Sequence, residues 1–260
     1  MPPKYTAKAT INRLDNGFVQ KGSDKIYKEY CINNGGNTID TNERYTEIIA
    51  DQLNKRYLSV LGGISAKTRF NSYCIPTHKG LAKDSIMTNR VEENIAKAMF
   101  ENKGSYGCIG TIIDYQIPLN NKQGDGLGKI DLLSYDAHKG ILWLLELKKP
   151  DNTTETLLRC ILEVYTYWKT VDSDALISDF RKKIGANWNK TEVKKAVLIF
   201  NDSIQNDAYM DTNQPSVKQL LKNLDVCVFT IDGNHRKKNT FVKGMTLKKL
   251  RAEVKKFQIY

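Results

Sequence analysis

The chain has 260 residues and a formal net charge of +11, because 40 lysines and arginines outnumber 29 aspartates and glutamates. This length allows one large domain or one domain with an appended piece, and the basic excess favours a polyanionic partner such as nucleic acid. The sequence has no apolar run of the ~20 residues that span a membrane, and it begins without the apolar segment of a signal peptide. These features, with five cysteines in no C-x-x-C pair, predict a cytoplasmic protein with reduced thiols and no membrane association.

The N-terminal part divides into a polar stretch and a helix. Residues 1–40 are rich in glycine and asparagine and show no sustained periodicity, so we predict an extended arm or a loop-rich cap there. Apolar residues at helical spacing predict a helix over residues 41–61, which Gly62 and Gly63 end. This part of the chain is therefore expected to contribute one long helix.

A second helix is predicted over residues 85–100, with Asp84 or Ser85 as its N-cap. At ~100° per residue, its apolar side chains gather on one side. Glu92 lies at the edge of that apolar stripe, whereas Glu93 points to the opposite face. We therefore expect Glu92 to border the core and Glu93 to be solvated.

Three apolar runs follow, over residues 106–119, 127–135 and 141–148. They are joined by N-N-K-Q-G-D-G and D-A-H-K-G, whose glycine, asparagine and aspartate residues are typical of turns. Consecutive strands with short links predict an antiparallel meander. The third run is apolar on both alternating faces, which indicates a central strand.

The rest of the chain predicts further helices and strands. After Pro150, apolar residues at helical spacing between Leu157 and Trp168 predict a long amphipathic helix packed on the meander. A strand, a short helix and a strand are predicted next, over residues 194–200, 216–224 and 225–232. Because a strand-helix-strand unit implies parallel pairing, we predict an α/β fold with a central mixed sheet flanked by helices.

Charged residues interrupt the second and third predicted strands. Asp131 lies in the second strand, whereas Glu146 and Lys148, two residues apart, project from the same face of the third. With a five-residue turn, an antiparallel register brings Asp131 close to Glu146 only if the pairing is offset or the strands bend. If the two carboxylates converge, their repulsion favours a Mg²⁺ ion, which takes one or two carboxylates and keeps several waters. Lys148 beside such an ion would orient water, which is the chemistry of phosphodiester hydrolysis.

These residues resemble the signature of the PD-(D/E)-x-K nuclease superfamily. Ile130 and Asp131 match its first half, with Ile130 where many members carry proline, and E-L-K at residues 146–148 matches its second half. The predicted order of helix, three strands, helix and strand over residues 85–200 is that of the superfamily core. The superfamily's helix acid matches Glu92. The resemblance therefore covers the middle part of the chain and leaves the two ends outside it.

On the helix after the third strand, Glu163 and Tyr167 resemble the Q/E-x-x-x-Y motif of the RecB-like branch of the superfamily. The resemblance implies a restriction-endonuclease-like core and a nuclease dependent on Mg²⁺ or Mn²⁺, of the endonuclease kind and acting on DNA. It assigns metal binding to Asp131, Glu146 and the Leu147 carbonyl, water activation to Lys148, support of the catalytic site to Glu92, and positioning of the lysine or substrate contact to Glu163 and Tyr167.

The resemblance suggests an N-terminal extension over residues 1–80, a nuclease-like core over 81–235 and a basic tail over 236–260, with one compact domain as the alternative. A basic amphipathic helix is predicted within the tail, over residues 245–257. The basic residues predicted to contact nucleic acid are Arg236, Lys237, Lys238, Lys248, Lys249 and Arg251. Such charge runs are also common on solvated faces. The sequence is compatible with a homodimer.

Each residue of the predicted site also has a simpler interpretation. Asp131 can bond a turn amide, and Glu146 and Lys148 can form a weak ion pair where the strand meets water. Glu163 can pair with Arg159 along its helix. Two other functions stay open: a catalytically inactive nuclease-fold module that binds nucleic acid or a protein partner, and the same chemistry on RNA. Two acids with a lysine argue against the inactive module, whereas no feature separates DNA from RNA.

Overall fold

A computed structural model of the chain describes residues 4–82, 86–119, 128–184 and 191–260. In these ranges five strands form one open sheet in the order β1-β2-β3-β4-β5. The strands are β1 (Thr111–Pro118), β2 (Lys129–Asp136), β3 (Ile141–Leu147), β4 (Glu192–Phe200) and β5 (Cys227–Ile231). The first three pair antiparallel, and β3, β4 and β5 pair parallel. The predicted meander, the mixed sheet and the central position of the third strand are therefore confirmed.

Helices cover both faces of the sheet. Their bounds are α1 (Ala7–Lys21), α2 (Tyr45–Gln52), α3 (Leu58–Gly62), α4 (Val91–Asn102), α5 (Leu157–Thr170), α6 (Ser173–Ile184), α7 (Ile204–Met210), α8 (Pro215–Asn223) and α9 (Leu247–Val254). Within the described ranges, none of the helices has both the length and the apolar composition needed to cross a membrane.

Side-chain alternation along the strands separates two apolar clusters. Leu133 and Leu144 lie in the first cluster, which also contains the buried side of α5. Leu132 and Leu145 point the other way, into a cluster with α4 and α9. Because successive residues of a strand face opposite sides, Asp131, like Leu133, belongs to the α5 face of the sheet.

The N-terminal prediction was wrong for residues 7–21, which form a helix. The first 40 residues contain α1 and two 3₁₀ turns, Ser23–Lys28 and Tyr30–Asn33, in place of an extended arm. Leu14 of α1 is fully buried, and the Phe18 ring stacks on Tyr57 with 4.0 Å between ring centroids. Most side chains of α1 are polar, so its apolar signal is weak and tertiary contacts supply much of its stability. The N-terminal helices share the α5-side core with the sheet.

The two upstream helices differ from their predicted bounds. The helix predicted over residues 41–61 is present as α2 and α3, joined by a π-helical turn over Leu53–Tyr57, and it ends at Gly62 with Gly63 as its C-cap. The helix predicted from residue 85 begins only at Val91. The chain before it is extended, because the Met87 N–H donates to the Met245 carbonyl at 2.7 Å. The predicted caps Asp84 and Ser85 lie outside the described residues.

Downstream elements agree with the predictions, with two additions. The predicted amphipathic helix is α5, with Thr156 as its N-cap, and the strand-helix-strand unit is β4, α8 and β5. The tail helix is α9, shorter than predicted. Helices α6 and α7 had not been predicted. The link N-N-K-Q-G-D-G between β1 and β2 lies outside the described residues.

Candidate active site

The register of β2 and β3 brings Asp131 opposite Glu146 without an offset. Asp136 pairs with Ile141 and Leu132 with Leu145, so the next pair in the same register is Asp131 with Glu146. Both residues are equally distant from the turn, so the pairing needs no offset to place them at the same level of the two strands. Oδ2 of Asp131 accepts a hydrogen bond from the backbone N–H of Leu147 at 3.0 Å, which fixes the carboxylate at the end of β3.

Gln116 of β1 also bonds the Asp131 carboxylate. The sequence analysis did not predict this residue. Its Nε2 donates to Oδ1 of Asp131 at 2.7 Å. Gln116 has a φ of +47°, a left-handed conformation that costs a non-glycine residue ~1–2 kcal/mol. The register of β1 shifts between Ile112 and Asp114, and this irregularity places Gln116 beside Asp131. A sequence pattern does not reveal such a shift, because it preserves the apolar character of the strand.

The Lys148 ammonium is buried among carboxylates. Its side chain is 5% exposed, and Nζ lies 2.6 Å from Oε1 of Glu146, 2.9 Å from Oε2 of Glu155 and 3.8 Å from Oε2 of Glu163. The exposed surface pair considered for Glu146 and Lys148 is thus excluded. Glu155, in the turn before α5, is the second residue that the sequence reading missed. Its only sequence signal is a carboxylate just before the predicted helix, a common position for acids with no catalytic role.

Helix α5 presents Glu163 and Tyr167 to this cluster, as their four-residue spacing predicts. The Tyr167 hydroxyl donates to Oε1 of Glu163 at 2.8 Å. Tyr167 also packs edge-on against Tyr27, with ring centroids 5.8 Å apart. Tyr27 belongs to the N-terminal layer, which α1 and the two 3₁₀ turns form. Gly128 lies so close that a Cβ there would meet the Tyr167 hydroxyl at 2.3 Å. Nε of Arg159 lies 3.7 Å from Oε2 of Glu163, so the helix pair considered for these two residues is also present.

Glu92 of α4 contacts the chain just after the carboxyl end of β3. Its Oε1 accepts from the backbone N–H of Lys149 at 3.0 Å and from Nδ2 of Asn152 at 3.3 Å. Glu92 therefore contacts the chain that leaves β3, as a supporting residue would. Glu93 is not simply solvated, because it is ion-paired with Lys97 at 2.6 Å and is half-buried.

Burial and mutual repulsion dominate the electrostatics of the strand carboxylates. Burial raises the pKa of Asp131 to about 7, with further repulsion from Glu92 and Glu163 and an opposing attraction from Lys148. Burial, together with repulsion from Asp131 and Glu163, raises the pKa of Glu146 well above its usual value. These carboxylates therefore hold their negative charge at a cost, which a proton or a bound cation relieves.

The two remaining ionic partners keep their charges. Burial alone would lower the pKa of Lys148, but attraction by Glu146 and the neighbouring acids raises it well above the usual value. Burial would raise the pKa of Glu155, but attraction by Lys148 and Arg159, with hydrogen bonds from Lys148 and Asn152, lowers it. The pKa shifts of Lys148 and Glu155 thus favour the charged form of each, as an ion pair requires.

The donor set fits a small hard cation. Among the described residues, no group of three or more histidine, cysteine, aspartate or glutamate side chains has the arrangement of a metal site. A Mg²⁺ site needs only one or two carboxylates, with waters as the other ligands. Repulsion from Asp131 helps to raise the pKa of Glu146, and repulsion from Glu92 and Glu163 helps to raise the pKa of Asp131. These residues fit Mg²⁺ or Mn²⁺ better than a metal that prefers nitrogen or sulfur ligands.

The basic residues predicted to contact nucleic acid lie in two places. Arg236, Lys237 and Lys238 follow β5, where Asp202 Oδ2 accepts from the Arg236 N–H at 2.7 Å and from the Lys237 N–H at 3.3 Å. Because β3, β4 and β5 are parallel, their carboxyl ends lie at the same end of the sheet. The loop after β5 and Lys148 are therefore at the same end of the sheet.

The basic residues of α9 differ among themselves. Lys248 and Lys249 are exposed. Nε of Arg251 lies 2.7 Å from Oε2 of Glu101, and its Nη2 donates to the Leu81 carbonyl at 3.4 Å, so it joins α9 to α4 and the preceding loop. Of the three, Arg251 is thus already engaged in holding the fold together.

Comparisons of the chain with models of known protein families, with curated proteins and with solved structures find no match.

Proposed function

We propose that this protein is a nuclease with a restriction-endonuclease-like core that hydrolyses phosphodiester bonds of DNA with the help of Mg²⁺ or Mn²⁺. The observation that carries the proposal is the cluster at the end of β3, where the Asp131 carboxylate bonds the Leu147 N–H and the Lys148 ammonium is buried beside Glu146. The order α4, β1, β2, β3, α5 and β4 supports it, because this is the order that the superfamily resemblance implies, with α6 inserted before β4.

Each residue of the cluster has its own role in the proposed reaction. Asp131 and Glu146 would hold the cation, with the Leu147 carbonyl as an additional ligand in the superfamily resemblance. The bound ion would polarise a phosphoryl oxygen and lower the pKa of a coordinated water. Lys148 keeps its positive charge in the folded protein, so it orients the attacking water and stabilises the negative charge that develops on the phosphate. Glu163, bonded to Tyr167, and Glu92 hold their neighbours in place.

A specific observation favours the alternative of a catalytically inactive binding module. Lys148 is surrounded by carboxylates, as a lysine in a purely structural ion network would be. Such a network is a weak source of stability, since replacing it by apolar side chains is often neutral or favourable. Its cost is easier to explain if the charges are used in catalysis.

The test is incubation of the purified protein with supercoiled, linear and single-stranded DNA, and with RNA, in Mg²⁺, Mn²⁺ or chelator. We expect cleavage of DNA that requires the cation and disappears in Asp131→Asn and Glu146→Gln. Cleavage of RNA alone would move the substrate to the second alternative. Binding to DNA without cleavage under every condition would favour the inactive module.

DNA binding is expected to involve Lys28 of the N-terminal layer. Its ammonium lies 5.4 Å from the centroid of the Tyr27 ring, which packs on Tyr167, and its side chain is exposed. A lysine that contacts one phosphate contributes about one released counterion, so Lys28→Ala should weaken binding to all DNA sequences and reduce the salt slope by about one. Fluorescence anisotropy in chelator, over a series of salt concentrations, measures this.

The matched control is Lys8→Ala, which removes an exposed lysine from the first turn of α1. We expect Lys8→Ala to keep the wild-type salt slope. Equal slopes for wild type and Lys28→Ala would exclude Lys28 from the DNA contact.

A further inference from the structure

Glu155 lies between two positively charged side chains, Lys148 and Arg159. Its Oε2 lies 2.9 Å from Nζ of Lys148, and its Oε1 lies 3.1 Å from Nε of Arg159. Neither β3 nor the α5 helix itself carries this residue, because it stands in the turn between them. Glu155 thus reaches Lys148 from the turn, whereas Glu146 reaches it from β3.

Asn152 and Gln205 hold this turn in position. Nδ2 of Asn152 donates to Oε2 of Glu155 at 3.0 Å, and its Oδ1 accepts from the Glu155 backbone N–H at 3.2 Å. Gln205, fully buried on α7, donates to the Glu155 carbonyl at 2.6 Å and to the Asn152 carbonyl at 3.1 Å. Both the side chain and the backbone of Glu155 are therefore fixed before any ligand binds.

The N-terminal layer closes the other side of the same turn. Thr156 donates its hydroxyl proton to the Ile32 carbonyl at 2.8 Å, and its backbone N–H donates to Oδ1 of Asn33 at 3.0 Å. Nδ2 of Asn33 also donates to the Thr154 carbonyl. The N-terminal layer, α7 and Glu92 of α4 thus all form hydrogen bonds with residues 152–156.

The Lys148 ammonium and a bound cation compete for Glu146. Its Oε1 lies 2.6 Å from Nζ of Lys148, although the proposed function requires the same carboxylate as a metal ligand. If Glu146 were its only partner, Lys148 would lose most of its compensation when the cation binds, and a buried ammonium without a partner is unstable.

We infer that Glu155 is the positioning residue for Lys148: it retains the ammonium beside the site while Glu146 is released to the cation. This inference rests on the proposed function and extends it to a residue outside the strand motif. Glu155 keeps Lys148 directed at the substrate, and it lowers the cost of cation binding without touching the cation. Asn152 and Gln205 serve Glu155 by keeping its carboxylate in reach of the lysine.

The experiment is a double-mutant cycle on cation affinity, measured by isothermal titration of Mg²⁺ and Mn²⁺ into wild type, Glu155→Gln, Lys148→Met and the double variant. Removal of a supporting partner of this kind typically weakens metal binding by about 10–100-fold, and we expect the lower end of that range for Glu155→Gln. In the Lys148→Met background, Glu155→Gln should have little effect, because there is no ammonium to retain. Equal weakening in both backgrounds would show that Glu155 acts on the cation directly, which would overturn the inference.

Two further variants separate contact from charge and from folding. Glu155→Asp keeps the negative charge but shortens its reach, so it should also weaken cation binding; wild-type affinity in this variant would reduce the role of Glu155 to net charge and overturn the inference. Glu93→Gln makes the same chemical change next to Glu92, at a residue paired with Lys97 and Arg90, and should leave affinity unchanged.

The experiment distinguishes a failure of the proposed function from a failure of the role assigned to Glu155. If the wild-type protein takes up neither cation, the proposed function is wrong. If it binds a cation but Glu155→Gln binds it equally well, only the role of Glu155 is wrong.

Discussion

Lys148→Met is expected to slow cation-dependent cleavage of DNA strongly while leaving cation binding intact or tighter. The ammonium is the buried positive charge placed beside Asp131 and Glu146, and loss of one such preorganised charge typically costs about 100- to 1,000-fold in rate. Affinity for Mg²⁺ should not fall, because Lys148 no longer competes for Oε1 of Glu146. Single-turnover cleavage at saturating Mg²⁺ measures the rate, and titration calorimetry measures the affinity.

A second buried lysine provides the matched control. Lys195 of β4 is 3% exposed and lies on the same face of the sheet, but its ammonium rests 3.8 Å from the centroid of the Trp168 ring and 3.6 Å from Asp225. Lys195→Met removes the same atoms at a site without the carboxylate cluster. We expect this variant to cleave DNA at the wild-type rate.

The folded state must be verified for this comparison. Removal of one partner from a buried ion network leaves uncompensated charge and typically costs ~3–5 kcal/mol, so Lys148→Met is best assayed with Mg²⁺ present and its melting temperature recorded. A folded Lys148→Met protein that cleaves within tenfold of wild type would contradict the assignment of Lys148.

The second large effect is a loss of stability as pH rises in the absence of metal. Burial raises the pKa of Asp131 to about 7, whereas an unfolded aspartate titrates near about 3.9. Between these values the folded state retains a proton that the unfolded state has released, so the free energy of unfolding falls as pH rises. The slope for one such group approaches about 1.4 kcal/mol per pH unit in the middle of the window.

Urea unfolding in chelator at several pH values tests this expectation. Asp131→Asn removes the titrating group, so its free energy of unfolding should depend less on pH between about 4 and about 7 than that of wild type. Asp151→Asn, at an exposed position on the turn after β3, is the control and should follow wild type. Parallel pH dependences for wild type and Asp131→Asn would show that Asp131 is ionised throughout.

Bound metal should oppose the loss of stability at high pH. A cation that binds Asp131 and Glu146 displaces their protons, so its affinity rises with pH. Mg²⁺ is therefore expected to raise the melting temperature more at about pH 8 than at about pH 6. Scanning calorimetry of wild type and Asp131→Asn at both pH values measures the difference, which should be absent from the variant.

Local pattern was sufficient for most of the fold. Strands of period two, turn residues between them and an amphipathic helix after Pro150 predicted the meander and α5, since each depends on neighbours in the chain. The failure at α1 has the opposite cause: its polar composition provides little helical signal, and burial of Leu14 against the rest of the protein supplies what the local sequence lacks. The shift in β1 was equally invisible, because an extra residue in a strand leaves its apolar character unchanged.

By itself, the sequence determined the chemical types in the site and the face they share. Glu146 and Lys148 must project together because they are two apart in a strand, and Glu163 meets Tyr167 because they are four apart in a helix. Tertiary structure alone decided which groups surround them. Gln116 and Glu155 reach the site through a strand irregularity and a turn held by α7, and such placements depend on contacts between distant parts of the chain, which no local periodicity records.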